Sequence, residues 1–377
     1  MSLACLYLVF RSLDPGALAA ALARANFLYV LPAIAVFFCG IWLRSLRWRV
    51  LLRPALRAEQ RATPGTGRLF QVLVVGLTVN NVLPARLGEL ARAYLLWHRE
   101  RIEPGATIAT IVLERVLDGL TLLVFAGLAA LVVPFPPQLQ GVAWFTAGIF
   151  LTVTVLLVAF LAWPAPFVAL AVRAFRFLPE RFAHLGERLV FSFVDGLAVL
   201  RDPRSLVAVL ALSLTAWFAE ATMYYVIMLG FPFPARPEAA LLGAAAANIG
   251  TMIPSTPGYV GTFDLPLQRV LTDVFGVAIA EATSYTLVLH AVLVLPVVLL
   301  GAFFIWQDAR GDDAESAGGL LTGLRAMRSV GSHGGANGQQ PAAPEPAYGD
   351  GDLPRGASPA PAARRAPPAV GTRERGR

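Results

Sequence analysis

The sequence predicts an all-α protein, a polytopic membrane helix bundle with two broken or re-entrant segments in an inverted repeat. The first observation is composition: 56% of the 377 residues are hydrophobic and only 15% are charged, which lies outside the range of soluble globular domains. The second is a set of apolar runs of about twenty residues, the length needed to cross roughly 30 Å of hydrocarbon. The third is a pair of shorter apolar runs that end in Asn, Pro and Gly.

Five apolar runs are long enough to span the membrane. They lie near residues 27–46, 106–133, 142–163, 206–229 and 280–306. Two further runs, 69–83 and 239–253, are shorter, and each ends in polar residues and helix breakers. The opening run "MSLACLYLVF" is too short to span and has neither the basic leader nor the cleavage site of a signal peptide. It is either the remnant of a helix that starts upstream or an interfacial segment.

Arginine positions predict the orientation, because cytoplasmic connections carry the excess of basic residues. The connection after the first run, taken to start at Arg47, and the stretch 164–205 are rich in arginine and are predicted to be cytoplasmic. The connections 134–141 and 231–237 carry no charge and one arginine, and are predicted to face outward. Each shorter apolar run must then enter and leave the membrane from the same side. Two broken hairpins of opposite orientation are typical of an inverted-repeat transporter.

The two broken segments resemble one another, since "NNVLPARLGE" (80–89) and "NIGTMIPSTPGYVGTFD" (248–264) each run through asparagine, proline, glycine and a carboxylate. Proline removes a backbone donor and breaks a helix, and the freed groups must be satisfied by protein or water at that depth. Such breaks indicate a cavity. The asparagines either satisfy the freed backbone groups or contact substrate, and the glycines either form close turns or line the site. The candidate site residues of these segments are Asn80, Asn81, Pro84, Arg86, Gly88, Glu89, Arg92, Asn248, Pro254, Pro257, Gly258, Gly261 and Asp264.

Charged residues inside a predicted span complete the candidate site, because such charges are costly and are usually functional or paired. Glu114, Arg115 and Asp118 lie near the start of the second long run, and their spacing places them on adjoining faces of one helix. Arg115 can pair with Asp118. Glu114 then requires another cation, which Arg86 or Arg92 of the preceding broken segment can supply. A lock between helix and hairpin and a direct role in substrate binding both remain open.

Glu220, within "TAWFAEATMYY", is the remaining buried acid and is a candidate proton carrier. The four histidines are scattered, without an HExxH pair, and the two cysteines lie far apart, so we predict neither a metal site nor a cofactor. An intramembrane hydrolase or transferase that uses Glu89, Glu114 and Asp264 as acid and base is the second hypothesis. A membrane scaffold without transport activity is the third.

Three blocks carry a resemblance to a known family. "NNVLPARLGELARAYLL", "ERVLDGLTLL" and "PSTPGYVGTFD" resemble the recurring blocks of the lysylphosphatidylglycerol synthase transmembrane-region family, flippase-like membrane proteins also found as stand-alone UPF0104 proteins. The resemblance implies a lipid-handling bundle of the bacterial inner membrane that flips or exports lipid. Tyr259 and Asp264 depart from the glycine and glutamate more usual in the family. Its two-domain enzymes transfer lysine through a soluble domain, and none is expected after residue 306.

We therefore expect a lipid transporter whose partners are membrane lipids and not nucleic acid. In this hypothesis Arg86 clamps the lipid phosphate through a bidentate contact. The transmembrane domain is predicted to occupy residues 1–307. Residues 308–377 are rich in Arg, Pro, Gly and Ala and are predicted to form a disordered cytoplasmic tail, which is either solvated or drawn to anionic lipid. The lipid, the direction of transport and the oligomeric state are left open.

Overall fold

The fold is a bundle of helices, with no strand among the residues that the structure describes. The computed structural model describes residues 15–53, 63–83, 86–133, 137–175, 194, 197, 202–251 and 257–310. The α-helices are α1 (Pro15–Arg24), α2 (Val30–Leu52), α3 (Thr66–Val82), α4 (Gly88–Glu100), α5 (Pro104–Ala130), α6 (Pro137–Ala162), α7 (Pro164–Phe175), α8 (Pro203–Met228), α9 (Pro237–Gly250), α10 (Asp264–Arg269) and α11 (Ile279–Asp308). Short 3-10 turns cover Phe27–Tyr29 and Pro257–Tyr259, and a π-helical turn covers Val270–Val274.

Membrane-spanning character is confirmed for the bundle. In the described part of the chain, three segments are long and apolar enough to cross a membrane: Phe27–Leu52, Pro203–Met228 and Ile279–Asp308. The predicted runs 106–133 and 142–163 correspond to α5 and α6, which have 27 and 26 residues. At 1.5 Å per residue both are long enough to span. The sidedness of the connections stays a prediction.

The predicted end of the first span, at residue 46, is wrong. Helix α2 continues to Leu52, so Arg47 and Arg49 lie in the helix and not in a connection. Arg47 is buried, at 1% exposure, whereas Arg49 is exposed. The helix continues beyond Leu46 because neither glycine nor proline occurs between that residue and Pro54, and arginine is a good helix former.

Proline and acidic caps explain where several helices begin. Helices α5, α8 and α9 each carry proline in the first turn, where its missing N–H would be unpaired anyway. Asp202 caps α8 by accepting hydrogen bonds from the backbone N–H groups of Arg204 and Ser205 at 3.2 and 3.1 Å. Hydrogen bonds from the Ser205 hydroxyl and backbone lower the pKa of Asp202.

Two long helices, α2 and α8, pack along each other, α3 packs against α11, and α9 packs against α5. One buried apolar cluster includes Phe37, Met223 and Tyr285. A second surrounds Trp48 and includes Leu96. These clusters fix the helices around a charged interior, so the site residues are held by packing.

Helices α3 and α4, here called the first interrupted pair, form a helix–break–helix hairpin as predicted. Helix α3 ends at Val82, and α4 begins at Gly88 after a residue of positive φ, Arg86 (φ 54°). The side chain of Asn80 accepts a hydrogen bond from the Gly88 N–H at 2.7 Å. Asn80 therefore satisfies a backbone group freed by the break. Pro84 lies outside the described residues.

Helices α9 and α10, the second interrupted pair, are separated by a longer break. Helix α9 ends at Gly250, and the chain reaches α10 through the turn Pro257–Tyr259. Gly258, Tyr259 and Gly261 have positive φ angles of 69°, 57° and 83°. The Asp264 carboxylate accepts a hydrogen bond from the Gly261 N–H at 2.8 Å, which closes this turn onto the start of α10.

Glycine at position 88 allows the first interrupted pair to pack closely, and its replacement provides a test. A Cβ atom on Gly88 would overlap the Gly76 carbonyl oxygen and the Asn80 side chain. We expect Gly88→Ala to cost about 1–3 kcal/mol, the usual range for overpacking. Gly127→Ala is the control, because a Cβ there meets nothing within 4 Å, and it should change stability by less than about 0.5 kcal/mol. Thermal unfolding in detergent measures both; equal midpoints would contradict the packing described here.

The predicted boundary between the transmembrane domain and the tail, at residue 307, lies one residue before the end of α11 at Asp308. The predicted disordered tail begins there, and residues 311–377 lie outside the described part of the chain. Its disorder and its cytoplasmic location therefore stay predictions.

Candidate functional site

A cavity of about 180 Å³ lies where the two interrupted pairs meet the long helices, and we call it the central cavity. Its walls carry both arginines and carboxylates. The charged or polar lining residues are Arg44, Arg47, Asn80, Asn81, Arg86, Arg92, Glu114, Arg115, Asp118, Glu220, Asn248, Thr251, Tyr259 and His290. Most of the predicted site residues are thus brought together, although they come from distant parts of the sequence.

Arg47 and Asp118 form a buried ion pair in this cavity. The Arg47 Nη1 lies 2.6 Å from Asp118 Oδ1 and also donates to the Ser213 hydroxyl at 3.0 Å. The indole N–H of Trp217 donates to the same Asp118 oxygen at 2.9 Å. Because Arg47 lies on α2, Asp118 on α5, and Ser213 and Trp217 on α8, the pair joins three helices. The predicted partner of Asp118 was Arg115, but Arg115 lies 3.9 Å away.

Arg92 and Glu114 form a second buried pair, at 2.8 Å. This pairing was one of two predicted for Glu114. The Arg92 guanidinium also lies over the Trp48 ring, 3.9 Å from its centroid, where a cation interacts favourably with the π face. The contact therefore locks α4 of the first interrupted pair to α5.

Arg115 instead pairs with Glu89, at 2.9 Å. Glu89 lies on the first turn of α4, so this is a second ion pair between α4 and α5. The Arg115 side chain is 40% exposed, which makes this pair the most accessible of the cavity pairs described here. The predicted contact of Arg115 with Asp118 is present only as the longer approach of 3.9 Å.

Glu220 is held by two donors. Arg44 Nη2 lies 2.5 Å from one carboxylate oxygen, and the Asn248 amide donates to the other at 2.9 Å. The Asn248 amide also donates to the Ala244 carbonyl at 2.9 Å. Glu220 therefore links α2, α8 and α9. Asn248 contributes to holding this carboxylate, in addition to facing the cavity.

Arg86 differs from the other four cavity arginines, each of which lies within 4.0 Å of a carboxylate. Among the described residues no carboxylate oxygen lies within that distance of Arg86. Its Nη2 donates to the Thr251 carbonyl at 2.5 Å, and its guanidinium lies 5.7 Å from the Tyr259 ring centroid. Its Nε is buried without a hydrogen-bond partner in the described chain. Among the described residues, the cavity arginines thus outnumber their carboxylate partners by one.

A second cavity, of about 450 Å³, adjoins the first and lies between α10 and α11. Asn81, Gly258 and His290 line both cavities. Its wall is largely apolar and reaches the outer surface of the bundle, where Leu295 is 58% and Val260 38% exposed. We call it the lateral cavity.

Of the remaining predicted site residues, some line the lateral cavity and others contact residues that line one of the cavities. Pro257 and Asp264 line the lateral cavity. Gly88 and Gly261 do not line either cavity, but each donates its backbone N–H to a lining side chain. Gly88 donates to Asn80, and Gly261 donates to Asp264. Pro84 and Pro254 lie outside the described residues.

Sequence reasoning missed Arg44, Arg47, Trp217, Tyr259 and His290 as site residues. The two arginines are one helical turn apart on α2, and this spacing could have shown that they share a face. Tyr259 was noted only as a departure from a family pattern. For His290 no local motif was available, because its partners are 26 and 32 residues away.

Within the described part of the chain, no group of three or more His, Cys, Asp or Glu side chains is arranged to hold a metal ion. This result concerns metal ions alone, so the absence of a cofactor stays a prediction.

The fold and the cavity together define an α-helical membrane protein with an ion-paired interior between two interrupted helix pairs. The chain belongs to the family described as the lysylphosphatidylglycerol synthase TM region, whose sequence profile matches residues 1–301. This confirms the resemblance inferred from the three sequence blocks.

Similar proteins come from archaea. A UPF0104 membrane protein of Methanothermobacter thermautotrophicus is 28% identical over 302 residues, which cover 73% of this chain and 84% of that protein. The protein named glycosyltransferase AglD of Haloferax volcanii is 26% identical over 310 residues, covering 74% of this chain and 49% of AglD. This chain thus matches only about half of AglD.

Proposed function

We propose that this protein moves a lipid with a phosphate-containing headgroup across the membrane. The observation that carries the proposal is Arg86, a cavity cation without a carboxylate partner in the described chain, placed between the two interrupted pairs. The predicted location, a bacterial inner membrane with the C-terminal tail in the cytoplasm, is part of the same proposal.

The charge of the cavity favours an anionic ligand. A charge taken out of water is costly unless a counter-charge compensates it, and Arg44, Arg47, Arg92 and Arg115 already have carboxylate partners. Arg86 therefore supplies the charge available to a ligand. A guanidinium fits phosphate better than a point charge does, because its planar donors match two phosphate oxygens.

The size of the central cavity suits a headgroup. Pockets for drug-sized ligands are usually about 300–1,000 Å³, and the central cavity has about 180 Å³. A complete two-chain lipid does not fit. The lateral cavity, open at the bundle surface beside Leu295, gives the apolar chains a route into the bilayer while the phosphate lies at Arg86.

The two interrupted pairs favour transport over simple binding. Broken helices that meet at a site between repeats are typical of alternating-access transporters. Tyr259, on the second pair, lies over Arg86 of the first pair, so a ligand at Arg86 contacts both. Movement of one pair relative to the other would then change the side from which the cavity is reached.

The similarity to AglD, which is named a glycosyltransferase, favours the alternative of a lipid-modifying enzyme. The two functions differ in their products. A transporter returns the lipid with unchanged mass on the opposite leaflet, whereas a transferase or hydrolase changes its mass. Mass spectrometry of lipids recovered from the transport assay distinguishes them.

Substitution of Arg86 tests the proposed function. In liposomes containing a fluorescent anionic phospholipid, we expect Arg86→Ala to slow lipid flipping by about 10- to 100-fold. A hydrogen bond to a charged group contributes about 1.5–3 kcal/mol, and each 1.4 kcal/mol is about tenfold in affinity. Arg86→Lys should recover part of the rate, because an ammonium group keeps the charge but not the bidentate geometry.

The matched control is Arg269→Ala, which removes a 50% exposed arginine of the second interrupted pair and should leave flipping unchanged. Folding of each variant is checked by thermal unfolding. Parental flipping by a folded Arg86→Ala protein would place phosphate recognition elsewhere. A parental protein that moves no lipid would overturn the proposed function itself.

A further inference from the structure

Both ring nitrogens of His290 face hydrogen-bond acceptors. Nδ1 lies 2.7 Å from Asp264 Oδ1, and Nε2 lies 2.7 Å from the Gly258 carbonyl oxygen. A carbonyl oxygen can only accept, so Nε2 must carry a proton. A neutral imidazole has one N–H, so its Nδ1 would then be an acceptor facing a carboxylate.

Two protons are therefore needed for the two contacts. Either both ring nitrogens are protonated beside an ionised Asp264, or Asp264 is protonated and donates to Nδ1. In both cases the pair holds two protons and has no net charge. Loss of one proton to water leaves a net charge of −1 and only one proton for two contacts, so one hydrogen bond must break.

The pair is placed where such a change affects the site. His290 lines both the central and the lateral cavity. Through Gly258 and Asp264 it ties α11 to the turn that carries Tyr259, and Tyr259 lies over Arg86. Release of this turn would change the wall that the two cavities share.

Among the described residues, the arginines and carboxylates around His290 are in ion pairs of their own, with the exception of Arg86. The polar residues that helix α3 brings to the central cavity, Asn80 and Asn81, are both neutral. On α1, Arg24 pairs with Glu281 at 3.5 Å, and in the π-helical segment Asp273 pairs with Arg269 at 3.5 Å. The charged or titratable groups that share the central cavity are Arg44, Arg47, Arg86, Arg92, Glu114, Arg115, Asp118, Glu220 and Tyr259.

We propose that His290 and Asp264 together form a proton-binding site that couples lipid movement to proton movement. This inference rests on the proposed function and adds its energy source. The pair binds a proton from water on one side and releases it to water on the other, and no further reactant is required. Glu220, the candidate from the sequence, is less suited, because both of its oxygens accept from Arg44 and Asn248.

The first test measures the proton directly and does not depend on lipid transport. Protein labelled with ¹⁵N-histidine is placed in lipid nanodiscs, and the ring signals are followed from about pH 5 to about pH 8, the range in which histidine usually titrates. His290→Gln identifies the His290 signals. We expect them to change with pH in the parent and to follow a different profile in Asp264→Asn. Signals that stay constant over this range in the parent would overturn the proposal.

The second test measures coupling in liposomes with the membrane potential clamped. With one proton per lipid, a difference of one pH unit should shift the steady-state leaflet ratio of the labelled phospholipid by up to about tenfold. An internal pH dye should report accompanying proton movement. His290→Gln should abolish both the shift and the proton movement. His98→Gln is the control, because His98 contacts Tyr94 on α4 and lines neither cavity.

The outcomes separate the two proposals. If lipid flipping does not depend on the pH gradient and no proton moves with the lipid, the proposed proton coupling is wrong and the proposed function remains intact. A parental protein that flips no lipid overturns the proposed function, and the histidine titration then decides alone whether the proton site exists.

Discussion

Replacement of Arg47 by methionine should destabilise the protein by about 3–5 kcal/mol. Methionine fills a similar volume, but it leaves the Asp118 carboxylate buried without its cation at 2.6 Å. Removal of one partner of a buried pair usually costs this amount, because the remaining charge is uncompensated. Arg115, at 3.9 Å and partly exposed, is too distant to replace Arg47. Thermal unfolding in detergent measures the loss.

Two further variants test the cause of this loss. Arg49→Met changes the same residue type on the same helix at an exposed position, and it should shift stability by less than about 0.5 kcal/mol. In the double variant Arg47→Met/Asp118→Asn no charge is stranded, and the introduced amide oxygen can still accept from the Trp217 indole, so most of the stability should return. If Arg47→Met were as stable as Arg49→Met, the buried pair would have no structural role.

Substitution of Glu114 by glutamine should cost about 3 kcal/mol, the lower end of the range for a broken buried pair. The amide oxygen can still accept from Arg92, but it no longer compensates the Arg92 charge at 2.8 Å. Because this pair locks α4 to α5, the effect should be concentrated in the first interrupted pair. Hydrogen exchange of the backbone amides in α4 should rise, whereas exchange in α8 should change little.

Asp273→Asn is the matched control for this result. It removes a carboxylate from an ion pair with Arg269 at 3.5 Å in which both side chains are about half exposed, and such pairs contribute only about 0–1 kcal/mol. An equal loss of stability in Glu114→Gln and Asp273→Asn would show that burial of the Arg92–Glu114 pair is energetically unimportant.

The helix breaks could be predicted from the sequence because their cause is local. Proline removes a backbone donor wherever it stands, and the asparagines and glycines around Pro84 marked the same place. The partner of Glu114 could be narrowed to Arg86 or Arg92, because both come from the segment just before α5 and sequence neighbours often pack together; the structure pairs Arg92 with Glu114.

The ion pairs of α2 could not be predicted in the same way. Hydropathy falls at Arg44 and Arg47, and in sequence this fall is indistinguishable from the end of a span. Only the rotation of α2 against α5 and α8 decides that these arginines point inward while Arg49 points outward. The positive φ angles at Arg86 and Tyr259 are also set by tertiary contacts, since neither residue type favours that conformation.

The ion pairs also impose an order on the assembly of the chain in the membrane. A charge near the middle of an inserting helix costs about 2.5–3.5 kcal/mol on biological insertion scales. The partner of Arg47, Asp118 on α5, is synthesised 71 residues after it. The partner of Arg44, Glu220 on α8, is synthesised 176 residues after it. Helix α2 therefore carries an arginine without its carboxylate until more than half of the 377 residues have been synthesised. Nascent chains that stop before residue 220 would keep Arg44 without its carboxylate, so insertion of α2 would be less favourable in them than in the complete protein.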